Sequence, residues 1–142
     1  MLKRIIVFGL VAAVVLFGLI QLVPFGKDHT NPPTVQEPNW DSPATRELAS
    51  RACFDCHSSE TVWPWYSNIA PASWLLAMDT AGARDHFNLS DWHPGDMTPE
   101  RMAKMVREHR MPPARYLMLH PEARLTDAER EQLAMGFLNS LK

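Results

Sequence analysis

Cys53-Phe54-Asp55-Cys56-His57 contains both cysteines of a 142-residue chain. C-x-x-C-H is the sequence signal for covalent attachment of a c-type haem. Two thiols at this spacing add to the two haem vinyl groups as thioethers, and the adjoining imidazole reaches the iron as proximal ligand. On a helical turn Cys53, Cys56 and His57 stand at i, i+3 and i+4, so all three project from one face toward one flat ligand. The expected cofactor is a single haem c, its iron held by His57.

Three other uses of the pair compete. A zinc site needs four ligands, and no second paired motif stands at finger spacing. A dithiol redox centre belongs in a βαβ context that the flanking sequence lacks. A disulfide between cysteines this close would shut almost no loop and stabilise little.

Outward from the motif, the N-terminus reads Met1-Leu2-Lys3-Arg4 and then IIVFGLVAAVVLFGLIQLVPF over residues 5–25, with Gln21 its only polar side chain. At ~1.5 Å per residue the run spans roughly 30 Å, the thickness of a bilayer's hydrocarbon. A cleaved signal peptide is the rival, but the ending Leu22-Val23-Pro24-Phe25-Gly26 has no small-x-small cleavage site. The expectation is an uncleaved single-pass anchor. Residues 1–4 form a cytoplasmic tail by the positive-inside rule, and the remainder lies on the periplasmic side of a bacterial inner membrane. With Lys3 and Arg4 set aside, 12 of the 14 Lys and Arg face 16 Asp and Glu. Nothing in that balance suggests nucleic acid, which would call for a clustered basic face.

Residues 26–41 include KDHTNPPTVQEPNWD and read as a proline-rich extended linker. Residues 42–142 read as one all-α, cytochrome c-like domain around the haem. Ser42-Pro43 opens a helix through PATRELASRACFDCH, with Ala44, Leu48, Ala52 and Cys53 on its apolar side. TVWPWYSNIA is turn-rich, a second helix starts near Pro71, and residues 88–96 are irregular. Thr98-Pro99 opens a third helix striped by Met102, Met105 and Val106, which must stop before Pro112-Pro113. Thr126-Asp127-Ala128-Glu129 is a capping box ahead of Leu133, Phe137 and Leu141, so the last helix should pack on the first.

A six-coordinate iron needs a distal ligand, methionine or a second histidine. Met111 stands directly before Pro112-Pro113, outside any helix, where the prolines stiffen the backbone that presents its thioether. Met78, Met102, Met105 and Met135 lie in helical stripes and are expected in the core. His109 is the main rival, an open site is the third possibility, and His86, His93, His120 and His29 rank behind.

CFDCHSSETVWPWYSNIAPASWL, the pair Gly82 and Arg84, Asn88-Leu89-Ser90-Asp91-Trp92 and MPPARYLMLHPEARLTDAE together resemble the bacterial haem-binding domain family over about residues 36 to 140. The WPWYSxIAP stretch is far more specific than C-x-x-C-H alone. The resemblance implies haem binding at Cys53, Cys56 and His57, with Met111 as distal ligand. It also implies that Trp63, Trp65, Tyr66 and Trp92 line or brace the haem pocket; plain core packing is the alternative for these aromatics. Arg84 is a candidate partner for a haem propionate.

No acid–base pair, nucleophile or phosphate loop appears elsewhere. The expected role is a non-enzymatic electron carrier visiting redox partners such as a membrane dehydrogenase, oxidase or peroxidase. A peroxidase-type enzyme with an open distal site and a haem-based sensor acting through a partner are the alternatives.

Overall fold

The computed structural model describes residues 1–95 and 97–141. Among these no strand forms, and the chain is all-α as the sequence predicts. Its helices are α1 (Leu2–Ile20), α2 (Pro43–Ala52), α3 (Phe54–His57), α4 (Ala72–His86), α5 (Pro99–Arg107), α6 (Ala114–Leu117) and α7 (Asp127–Ser140). Short 3-10 turns occupy Trp65–Asn68 and Pro121–Ala123. The irregular segment expected over 88–96 ends on Asp96, which lies outside the described residues. Contacts divide the chain into two compact units, Met1–Thr30 with Trp63–Asp79, and Asn31–Val62 with Thr80–Lys142. The first turns of α4 thus belong to one unit and its last turns to the other.

In the first unit α1 is exposed along its length, with a mean hydropathy of 2.3, and is long and apolar enough to cross a membrane. The apolar run continues to Phe25, but the helix ends five residues sooner. Gln21 caps it, donating its side-chain amide to the Phe17 carbonyl at 3.0 Å. Pro24 then bars further helix because it has no N–H to donate.

In the second unit the caps fall where local chemistry demands. Ser42 Oγ accepts from Thr45 N at 3.2 Å, Thr98 Oγ1 accepts from Arg101 N at 3.3 Å, and both arms of the Thr126–Glu129 box are present. The Thr126 N–H and Arg51 hold the Glu129 carboxyl down at about 2, well under the usual carboxylate value. The Arg51–Glu129 ion pair also joins α2 to α7, as the apolar stripes predict.

Packing corrects the expected faces in detail. Thr45, Leu48, Ala49 and Ala52 are the buried face of α2, whereas Ala44 is exposed. The stripe is therefore turned one residue from the expected one, because Thr45 meets Gly136 of α7. Met102 is buried and Met105 partly so, but Met78 and Met135 are 53% and 46% exposed, so two of the four expected core methionines lie outside it. The core joins Leu48, Phe54, Leu89, Met102, Leu133 and Phe137.

The extended segment after Thr30 does not hang free in this unit. Val35 N donates to Ser90 O at 2.7 Å, Trp92 N donates to Gln36 O at 2.9 Å, and Glu37 accepts from Arg46 and from Trp40 Nε1. Proline-rich backbone leaves unpaired amides and carbonyls, and residues 90–92 satisfy some of them.

Gly136 tests this packing. A Cβ built on it would overlap the side chain of Thr45, which is 1% exposed. Overpacking costs about 1–3 kcal/mol, more than the ~1 kcal/mol of helix propensity that alanine adds over glycine. Gly136→Ala should therefore lower the urea midpoint of the holoprotein, whereas a gain in stability would show that α2 and α7 can part at no cost.

Candidate functional site

The long first helix expected through the C-x-x-C-H motif breaks inside it. Cys53 adopts φ −127° and ψ −33°, ending α2 and capping α3. The three chemical residues nevertheless share one turn, because Cys53 O accepts from both Cys56 N at 3.2 Å and His57 N at 2.9 Å. The i, i+3, i+4 relation survives the break. Cys53 and Cys56 are separate thiols, and burial pushes the Cys53 thiol up to about 12. A thiol held protonated in this way is the opposite of a redox-active cysteine, whose pKa is lowered.

His57 is 9% exposed, and its environment fixes its tautomer. Nδ1 lies 3.0 Å from Ala83 O and 3.4 Å from Phe87 O, and carbonyls only accept. Nδ1 therefore carries the proton, leaving a lone pair on Nε2. Burial lowers the ring to about 4, so the neutral form persists at physiological pH. A metal-ligating histidine shows this same arrangement, donating its second nitrogen to a carbonyl that orients the ring and raises its basicity. The carbonyls come from the last turn of α4 and the residue after it, and Ala83 O also accepts from Phe87 N at 3.2 Å. Phe87 also stacks on the imidazole, centroids 4.0 Å apart at 4°, and Trp92 meets Phe87 edge-on at 6.4 Å.

Asp55, between the two cysteines, gathers the surrounding chain. Its Oδ1 accepts from Val62 N at 2.8 Å, its carbonyl accepts from Thr61 Oγ1 at 2.8 Å, and its Oδ2 accepts from Tyr116 OH at 2.5 Å. Burial and this carboxylate drive the Tyr116 phenol far above its ordinary value. The last bond ties the loop after Met111 to the motif. Arg130 of α7 holds the start of that loop, donating Nη1 to Met111 O and to Val106 O, each at 3.1 Å. Tyr116 stacks on His120 with centroids 4.1 Å apart.

Arg84 donates to Ser58 O and Thr61 Oγ1, each at 2.9 Å, and so braces the chain leaving the motif. Trp92 is 4% exposed and supports Phe87 from within the core. Trp63, Trp65 and Tyr66 belong to the other unit. Trp63 stacks on His29 at 4.7 Å, while Trp65, 77% exposed, meets Tyr66 edge-on at 5.7 Å.

The rival histidines are placed as follows. His109, at φ +56°, is solvent-exposed with Nε2 3.9 Å from Asp127. His86 is exposed, His93 faces the Asp91 carbonyl at 3.0 Å, and His120 is buried with Nδ1 2.9 Å from Glu122. Among the described residues no three His, Cys, Asp or Glu side chains converge as a metal cluster.

The donor set fits a covalently held haem: two thiols and a neutral Nε2 donor on one turn, with a backbone-fixed tautomer. Sequence reasoning missed Phe87, Arg130 and the role of Tyr116. Only Tyr116 carried a signal, since it falls within the MPPARYLMLHPEARLTDAE segment.

A family model described as a haem-binding domain matches residues 15–139. No curated protein and no solved structure matches the chain.

Proposed function

Because the chain belongs to the haem-binding domain family, we propose that it is a membrane-anchored c-type cytochrome. It would pass single electrons between redox proteins on the outer, periplasmic face of the cytoplasmic membrane. Bound haem supplies the one-electron iron couple. The observation that carries the reading is the pairing of C-x-x-C-H with a buried His57 whose Nδ1 is committed to the Ala83 and Phe87 carbonyls.

The chain's own residues divide the remaining work. Cys53 and Cys56 would provide the thioether sulfurs, and His57 Nε2 would hold the iron. Met111 is the proposed distal ligand, supported by Arg130 on its carbonyl and by Tyr116, which anchors the following residues to Asp55. Phe87 and Trp92 keep the imidazole plane in place. Helix α1 is the proposed anchor, and residues 26–41 join it to the haem-binding domain over 42–142.

Optical spectra of the purified full chain test this. After acid-acetone extraction the haem band should stay with the polypeptide, and the ferric form should be low-spin with a sulfur-to-iron charge-transfer band. A high-spin ferric spectrum would sink the carrier reading and favour a peroxidase-type enzyme with an open distal position. Mass analysis addresses the anchor, because a mature chain lacking the apolar run would refute it.

A further inference from the structure

Between Glu60 and Asp79 there is no charged side chain. Most of this stretch, Trp63–Asp79, forms one compact unit with Met1–Thr30. Ser67, Ala70 and Ser73 are buried, but another part of it faces out. Trp65 is 77% exposed, Leu75 58% and Ile69 37%, and beside the end of α1 Leu22 and Phe25 are 78% and 52% exposed. Single exposed apolar residues need no explanation, but a charge-free segment that presents Trp65, Ile69 and Leu75 outward together marks an interaction surface.

Its occupant follows from how the segment is tied to α1. Gln21 donates Nε2 to Ala70 O at 3.0 Å, and Ala70 N donates to Gln21 Oε1 at 2.9 Å. The amide thus pairs with residue 70 as a second backbone would. Gly26, at φ +74°, lets the chain pass directly against the Ser73 backbone, where any Cβ would overlap the Ser73 carbonyl. His29 closes the unit by stacking on Trp63 and approaching Ser67 O at 3.2 Å. Ala70 therefore sits level with the C-terminal end of α1. A 19-residue helix is about 28 Å long, close to the ~30 Å of bilayer hydrocarbon, so that end falls at the membrane–water boundary. Tryptophan and tyrosine concentrate at that depth. Lys27, donating Nζ to Gln21 O at 2.5 Å, puts a cation where lipid headgroups lie.

We propose that the segment from Trp63 to Met78 is a membrane-interface platform, with Trp65, Ile69 and Leu75 resting in the headgroup and upper acyl region beside α1. The contact partner is the lipid surface itself. This gives Trp65 a lipid contact in place of the haem-pocket wall that the family resemblance implies. The inference rests on the anchoring reading, but not on the haem.

Fluorine NMR of the full-length holoprotein, fluorotryptophan-labelled and held in phosphatidylcholine–phosphatidylglycerol nanodiscs, tests it. Trp65→Phe identifies the Trp65 resonance, and Phe17→Trp adds a reporter within α1. Two broadening agents are compared, a nitroxide-labelled phospholipid and a water-soluble gadolinium chelate. The expected result is loss of both the Trp65 and the α1 signals with the nitroxide lipid, and their survival with gadolinium. If the α1 reporter is lost to nitroxide lipid while Trp65 is lost to gadolinium, the anchor stands and the platform is overturned. If both are lost to gadolinium alone, the anchoring reading fails and takes the platform with it.

Discussion

Replacing Cys53 and Cys56 together with alanine is expected to abolish haem that survives denaturation, and to leave a domain that keeps haem poorly even in its native state. Thioethers at these positions would convert ligand binding into an intramolecular event, with an effective concentration on the order of millimolar or above. Without them the stabilisation is RT ln(1 + [L]/Kd), which vanishes as free haem is diluted. A domain of about 100 residues has a thin core, so a large apolar ligand is a substantial share of what it buries. The checks are haem staining on a denaturing gel, expected to be lost, and a thermal midpoint that becomes dependent on added haem. The two single variants should each retain one thioether, with an α band shifted to the red by the vinyl group left in conjugation. A double variant that still carries haem through denaturation would refute attachment at this motif.

The parts of this arrangement differ in how visible they are along the chain. The caps at Ser42, Thr98 and Thr126 were legible because each is a contact between residues three apart, settled by side chain and backbone alone. The shared turn of Cys53, Cys56 and His57 was legible for the same reason, since its contacts span only three or four residues. The partners of His57 were not. Ala83 and Phe87 offer carbonyls, which every residue has, and only the end of α4 brings them to Nδ1. Arg130 misleads a pattern reading even more, since a charged residue within a helix is expected to face water. It is 6% exposed because its guanidinium reaches inward to the Val106 and Met111 carbonyls. The one-residue turn of the α2 stripe depends on Gly136, 91 positions beyond Thr45, and no local period records that contact.

Met111→Ala should change the haem more than any other single substitution that leaves attachment intact. The expected spectrum loses the sulfur-to-iron charge-transfer band and gains high-spin character. The reduction potential should fall by a few tenths of a volt, a fraction of the ~0.8 V range that axial ligands command. The polypeptide itself should change little, because Arg130 grips the backbone carbonyl of residue 111 and not its side chain. Tyr116→Phe separates ligation from loop position. It removes the bond to Asp55 while leaving the thioether and the His120 stack in place. If that bond holds the loop against the motif, the variant keeps the charge-transfer band near neutral pH but loses it at lower pH or temperature than the wild type. Should Met111→Ala remain low-spin with its potential unmoved, a histidine is the distal ligand. His120 is then the first to replace, since it is buried and stacks on the tyrosine that contacts the motif, whereas His109 faces Asp127 in solvent.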